Sequence, residues 1–102
     1  MHTVAIAAFQ GLPVFEMAVG CEVFGVDRSA MGVPNYRLQV CAIDQPPVHT
    51  GGGFSIDTEF GLQHLCKADT IIVPGWKDFD REVPDEFIDA LRAARERGAR
   101  AA

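Results

Sequence analysis

Two short apolar runs constrain the fold of this chain most. The first spans Thr3–Phe9 (TVAIAAF), and the second spans Asp69–Val73 (DTIIV), which is largely β-branched. A strand that is apolar with little alternation is typical of a parallel sheet covered on both faces. A third run, Tyr36–Ile43, first alternates and then turns apolar. We therefore predict three parallel strands.

The segments between these runs have the length and pattern of helices. Val14–Val26 carries only Glu16 and Glu22 as charged residues, so we expect a helix buried on more than one side. Gly61–Ala68 predicts a short helix, and Asp85–Arg97 predicts an amphipathic one. Strands joined through helices favour an α/β fold with a doubly wound sheet.

A hairpin is expected outside this sheet. Val48–Thr50 and Phe54–Thr58 flank three consecutive glycines at 51–53, a composition typical of a tight, flexible turn. Such a hairpin can act as a flap that leans over a pocket.

The last predicted element is a helix. Gly98 ends it, and only Ala99 to Ala102 follow, so we expect no further strand. A crossover helix normally delivers the next parallel strand. We therefore expect residues 1–102 to form the amino-terminal part of a domain.

Composition argues against several functional classes. The net charge of -5 gives no cationic surface for nucleic acid. The apolar stretch Val4–Phe9 is too short for a membrane span and lacks the flanks of a signal peptide, so we expect a cytoplasmic protein. Cys21, Cys41 and Cys66 form no CxxC pair and have no histidine at metal-ligand spacing, so we expect buried, reduced thiols and neither a zinc site nor a disulfide framework. We expect no cofactor.

Ligands of such sheets bind beyond the carboxyl ends of the strands. Glu16 follows the first strand closely, where its carboxylate can hold a proton, orient a ligand or hydrogen-bond a nucleophile. The alternative is a helix-start glutamate satisfied by backbone N–H groups and the helix dipole. Gly75 and Trp76 follow the third strand, and their N–H groups can bind an anion or a carbonyl oxygen. The alternative there is a plain strand-ending turn.

Three segments together resemble a known superfamily. VAIAAFQGLPVFEMAVGCEVFG, ADTIIVPGW and LRAARERGAR are similar to the first half of a PfpI-like domain of the class I glutamine amidotransferase superfamily. They resemble the amino-terminal domain of AraC-type transcription regulators more closely. The resemblance implies a flavodoxin-like fold, present here as its amino-terminal half.

The resemblance also implies roles for particular residues. Glu16 matches the glutamate that sits against a reactive cysteine in the superfamily, and Gly75 and Trp76 match its oxyanion-binding turn. The reactive cysteine follows a later strand and corresponds to none of the cysteines in this chain. Enzymes of the superfamily usually have a second glycine where this chain has Trp76, which favours the regulator branch.

The implied function is therefore ligand sensing and dimerisation in a regulator. We expect a small-molecule effector, a homodimer, and DNA binding only through a carboxy-terminal helix-turn-helix region that these residues do not include. The alternative is part of a PfpI-like cysteine-dependent hydrolase, hydratase or deglycase.

Overall fold

The computed structural model describes residues 2–27, 29–32, 35–75 and 83–101. Besides one turn of 3-10 helix, its elements in chain order are β1 (Thr3–Ala8), α1 (Val14–Phe24), β2 (Arg37–Ala42), β3 (Val48–His49), β4 (Ser55–Ile56), α2 (Leu62–Leu65), β5 (Thr70–Ile72), α3 (Asp85–Glu96) and β6 (Arg100–Ala101).

The main sheet is parallel, with the strand order β2-β1-β5-β6. β1 lies inside the sheet, and Val4 to Phe9 are all buried, as an apolar strand without alternation predicts. β3 and β4 pair antiparallel in a separate sheet. The predicted α/β fold, its three parallel strands and the separate hairpin are confirmed.

β6 corrects the expectation that no strand follows the last helix. Gly98 has a φ of 92°, a conformation that favours glycine, and it turns the chain out of α3. Arg100 and Ala101 then pair in parallel with Thr70 and Ile71 of β5. Alanine has little strand propensity and the strand is only two residues long, so the pairing with β5 defines it and the sequence pattern does not.

Helices cover both faces of the sheet, and successive strand residues point to opposite faces. Ile6 of β1 packs towards Gly20 of α1, where an added Cβ would lie 2.8 Å from the Ile6 Cδ1 atom. The larger core lies on the other face. It joins residues of β1, β2 and β5 to the two remaining helices, and its buried members include Ala5, Ala7, Cys41, Leu65, Ile71, Phe87, Ala90 and Ala94.

α1 departs from its prediction. Only Gly20 is buried along this helix, whereas Phe15, Val19 and Val23 are 80%, 45% and 49% exposed. The expectation of burial on more than one side is wrong for the described residues, because the side of α1 that carries these three side chains is left exposed. We call Phe15, Val19 and Val23 the exposed stripe.

The three cysteines differ in their surroundings. They are all free thiols, but only Cys41 is buried, and Cys21 and Cys66 are half-buried. The expectation of three buried thiols is therefore wrong for two of them. Burial raises the pKa of Cys41 to about 12. The pKa of Cys21 is also raised, first by burial and then by the neighbouring Glu22 carboxylate.

Candidate functional site

The contact between Glu16 and Gly75 forms the centre of the candidate site. The Gly75 N–H group donates a hydrogen bond to Oε2 of Glu16. The two residues are 59 positions apart in sequence. The fold joins them because β1 and β5 are neighbouring parallel strands, so the segments that follow both strands meet at one edge of the sheet.

The start of α1 positions the Glu16 carboxylate. Glu16 is the third residue of this helix, which begins after Pro13. The sequence left open whether its carboxylate serves a ligand or is satisfied by the backbone. The structure shows that it accepts a backbone N–H of another segment, and this bond ties α1 to the turn after β5.

Glycine at position 75 permits this close approach. A Cβ atom built on Gly75 would lie 2.6 Å from Oε2 and 3.1 Å from Oε1 of Glu16. The shorter of these contacts is one that real Cβ atoms essentially never make, so any side chain at position 75 would displace the carboxylate. The close approach of the Glu16 carboxylate accounts for a glycine at position 75, and no unusual backbone conformation has to be invoked.

The Gly75 N–H group is not free, which corrects one expectation. The sequence suggested that Gly75 and Trp76 present unused N–H groups to an anion. Glu16 already binds the first of them with its own carboxylate. Trp76 lies outside the described residues.

Sequence reasoning missed a second polar cluster at the same edge. The backbone N–H of Gln10, which follows β1, donates to Asp44 Oδ2 over 2.8 Å. The side-chain amide of Gln10 donates a hydrogen bond to the Pro47 carbonyl over 3.1 Å and accepts one from the His49 N–H over 2.8 Å. Gln10 thereby joins the ends of β1 and β2 to the hairpin. The only signal in the sequence was a polar residue directly after each strand.

The β3–β4 hairpin is attached to the loop after β1. Gly11 donates its N–H to the His49 carbonyl over 2.8 Å, and Gly51 donates to the Leu12 carbonyl over 2.9 Å. At the tip, a Cβ on Gly52 would lie 3.2 Å from the Val14 side chain. The expected flap therefore rests on the start of α1, next to the candidate site.

The other candidate groups lie elsewhere. Glu22 is exposed, on another side of α1 from Glu16. Cys66 lies at the opposite edge of the sheet, where its carbonyl accepts the Arg97 guanidinium over 2.7 Å. Residues 2–27, 29–32, 35–75 and 83–101 contain no group of three or more His, Cys, Asp or Glu residues able to hold a metal ion. Within the same residues, no helix is long and apolar enough to cross a membrane.

Known structures share this arrangement of strands and helices. A DJ-1 superfamily protein from Agrobacterium tumefaciens superimposes with a TM-score of 0.72 at 19% identity, over 99% of this chain and 52% of that chain. An AraC family transcriptional regulator from Pseudomonas putida gives a TM-score of 0.78 at 16% identity, over 99% of this chain and 54% of that chain. The chain has the fold of one half of these proteins.

A third structure extends the comparison. A Vibrio parahaemolyticus protein, assigned provisionally as a transcriptional regulator, gives a TM-score of 0.76 at 16% identity and covers 99% of this chain and 54% of that chain. No protein-family model matches the sequence, and no curated protein matches it. The chain spans about half the length of each of the three structures. At these identities the likeness establishes the fold, and the activity must be argued from the site.

Chemically, the site offers one carboxylate held at the carboxyl edge of the sheet. Its position is fixed at both ends, by the first turn of α1 and by the backbone of Gly75. A carboxylate held in this way can orient a ligand or accept a proton. Cys41 lies on β2 and Cys66 directly follows α2, whereas Cys21 lies on α1 with Glu16 but on another side of that helix.

Proposed function

We propose that the chain is part of the ligand-sensing and dimerising domain of a cytoplasmic AraC-type transcription regulator, and that these residues do not themselves bind DNA. The fold shared with the Pseudomonas putida regulator, over about half of that chain, carries the proposal. The net charge of -5 supports a role other than contact with the phosphate backbone. DNA binding is assigned to a separate helix-turn-helix region.

The coding sequence that follows Ala102 tests this assignment directly. Two helix-turn-helix units downstream are expected for a regulator. A termination codon soon after one domain length, with a cysteine in a tight turn after the next strand, would contradict it.

The effector is proposed to bind at the carboxyl edge of the sheet, beside Glu16, Gly75 and Trp76. The first two residues are in contact there, and the rigid carboxylate gives a fixed hydrogen-bonding point for a small molecule. In the complete regulator, Glu16→Gln is expected to abolish the transcriptional response to the effector at unchanged protein abundance. Glu22→Gln is the matched control, because Glu22 lies on the same helix and is exposed. Equal responses in the two variants would contradict the site.

Dimerisation is proposed to bury the exposed stripe of α1. Three large apolar side chains at helical spacing on one exposed face are typical of an interface with another protein surface. Val19→Glu would place a charge in the middle of the stripe, and we expect the dimer dissociation constant to rise at least ~10-fold. Ala93→Glu on the exposed side of α3 is the control. Analytical ultracentrifugation measures both, and equal dissociation constants would exclude the stripe.

A second candidate is part of a cysteine-dependent hydrolase, hydratase or deglycase of the PfpI-like kind. The fixed Glu16 carboxylate and the fold shared with the DJ-1 superfamily protein favour it. This enzyme needs a thiolate from outside the described residues, with Glu16 assisting. Turnover by the complete protein that falls at least ~100-fold in Glu16→Gln and persists in Glu22→Gln would support it. The absence of turnover together with an effector response would favour the regulator.

A further inference from the structure

A shallow apolar groove lies between α1 and the outer edge of β2. Its volume is about 360 Å³. The floor is formed by six side chains from α1, from β2 and from the segment around β4, namely Met17, Cys21, Leu38, Val40, Ile56 and Phe60. We call it the β2-edge groove. Glu16 and Gly75 do not line it, so it is distinct from the site described above.

The floor of this groove is apolar surface that the fold leaves partly open. All six side chains are of intermediate exposure. β2 is an edge strand of the four-stranded sheet, and the segment 58–60 is bonded to its outer side. There the Thr58 hydroxyl donates to the Val40 carbonyl over 2.7 Å, and Ala42 donates its N–H to the Phe60 carbonyl over 3.0 Å. These bonds fix one end of the groove.

The rim of the groove is acidic. Asp57 is the only charged residue that lines it among the described residues. An adjoining hollow is lined by Asp57, Thr58 and Glu59. Two carboxylates, Asp57 and Glu59, therefore lie beside the apolar floor, and no described lysine or arginine lines either hollow.

We propose that the β2-edge groove binds a small organic amine, whose alkyl or aryl part covers Met17, Val40 and Ile56 and whose ammonium group faces Asp57. Covering the floor removes apolar surface from water, which favours binding. The acidic rim attracts a cation and repels an anion of the same shape. The volume lies near the lower end of the ~300–1,000 Å³ range of small-molecule pockets, which suits a compact amine.

This inference does not depend on the proposed function. The groove lies at β2, whereas the proposed effector site lies between β1 and β5. Binding of an amine is measured directly and needs neither transcription nor turnover. A failure of the groove proposal would therefore leave the assignment of Glu16 untouched, and the reverse also holds.

Cys21 provides a reporter for occupancy of the groove. It lines the floor and is half-buried, so a bound ligand should shield it from alkylation. Cys66 is also half-buried but lies outside the groove, so it serves as an internal control in the same molecule. Peptide mass spectrometry after a timed exposure to iodoacetamide reports both thiols.

The experiment uses the complete protein and three probes with the same aromatic ring: 2-phenylethylamine, 2-phenylethanol and 3-phenylpropionate. Isothermal titration calorimetry near pH 7 measures their affinities. We expect the amine to bind at least ~10-fold more tightly than the carboxylate, with the alcohol between them. We also expect the amine to slow alkylation of Cys21 and not of Cys66. Added salt should weaken the amine selectively, because its rim contacts are exposed.

Surface variants test the charge assignment without disturbing the core. Asp57→Asn and Glu59→Gln should each weaken binding of the amine by up to roughly 5-fold, because both carboxylates are exposed, and should leave the affinity for the alcohol unchanged. Asp89→Asn on α3 is the matched control and should change nothing. Equal affinity for the amine and the carboxylate, equal protection of Cys66, or no binding of the amine at ~10 mM would each overturn the proposal.

Discussion

The two long helices, α1 and α3, differ in how much of their apolar surface is buried within the described residues. α3 buries Phe87, Ala90 and Ala94 at helical spacing and turns its charged residues outwards. α1 buries only Gly20 and leaves the exposed stripe on its far side. Both helices pack on the same sheet, one on each face. The sequence pattern of α3 is satisfied inside this chain, whereas that of α1 requires a second surface.

The contrast separates two kinds of information in a helix sequence. An amphipathic pattern such as that of α3 specifies one buried face and its partner within the domain. A helix that is apolar on all sides specifies only that more than one surface must cover it, and the second surface can belong to another molecule. The exposed stripe is therefore the strongest argument for self-association that the described residues provide.

Replacing one phenylalanine in each helix should give the largest contrast. Phe87 is 3% exposed, and Phe87→Ala should lower the free energy of unfolding by about 3–5 kcal/mol, because it removes a buried ring and leaves a cavity. Phe15 is 80% exposed, so Phe15→Ala should change the free energy of unfolding of the dissociated protein by no more than about 0.5 kcal/mol. Urea unfolding followed by circular dichroism measures both.

Protein concentration sharpens the same comparison. If the exposed stripe forms an interface, Phe15→Ala should become destabilising relative to wild type as the concentration rises, because association stabilises the folded state by mass action. Phe87→Ala should lose a similar free energy at every concentration. A Phe15→Ala effect as large as that of Phe87→Ala in the dissociated protein would show that α1 is more buried than described.

The buried side of α1 gives a smaller effect. A Cβ at position 20 would lie 2.8 Å from the Ile6 Cδ1 atom, so Gly20→Ala overpacks the contact, at about 1–3 kcal/mol. Alanine also favours the helix by about 1 kcal/mol over glycine. We expect a net loss of about 1 kcal/mol in the free energy of unfolding, measured by the same urea titration.

Ile6→Val is the matched partner for this test, because valine lacks the Cδ1 atom that the new Cβ would meet. The double variant Gly20→Ala/Ile6→Val should be less destabilised than the sum of the single variants. Strict additivity would mean that Gly20 serves some purpose other than the close approach of α1 to β1.

The sequence predicted those parts of the molecule that depend on local pattern. The strands β1 and β5 were predictable because burial on both faces leaves an apolar run. β6 was not, because its two residues become a strand only by pairing with β5. Glu16 and Gly75 follow neighbouring strands, so their contact follows from the topology. The Gln10 cluster depends on the relative positions of three loops, which no single segment encodes.

The smallest expected effect comes from comparing two cysteines that lie on opposite faces of the sheet. The comparison tests how well each face excludes water. Cys41 points away from α1 and is buried, and its pKa is raised to about 12. Well below pH 9 its thiol is protonated in both the folded and the unfolded protein, so it adds no pH dependence there. As the pH rises through 9 the unfolded thiol ionises while the folded thiol keeps its proton, so the free energy of unfolding falls until about pH 12.

The expected loss from Cys41 is about 0.8 kcal/mol at pH 9.5. Urea unfolding of wild type and Cys41→Ala across pH 7.5–10 measures it, since the variant lacks the titrating thiol. Cys21→Ala is the matched comparison. The Cys21 pKa is raised in the same direction, but this thiol is only half-buried, so we expect a smaller difference. Equal pH dependence of the free energy of unfolding in the two variants would mean that water is excluded from Cys21, under α1, as fully as from Cys41, under α2 and α3.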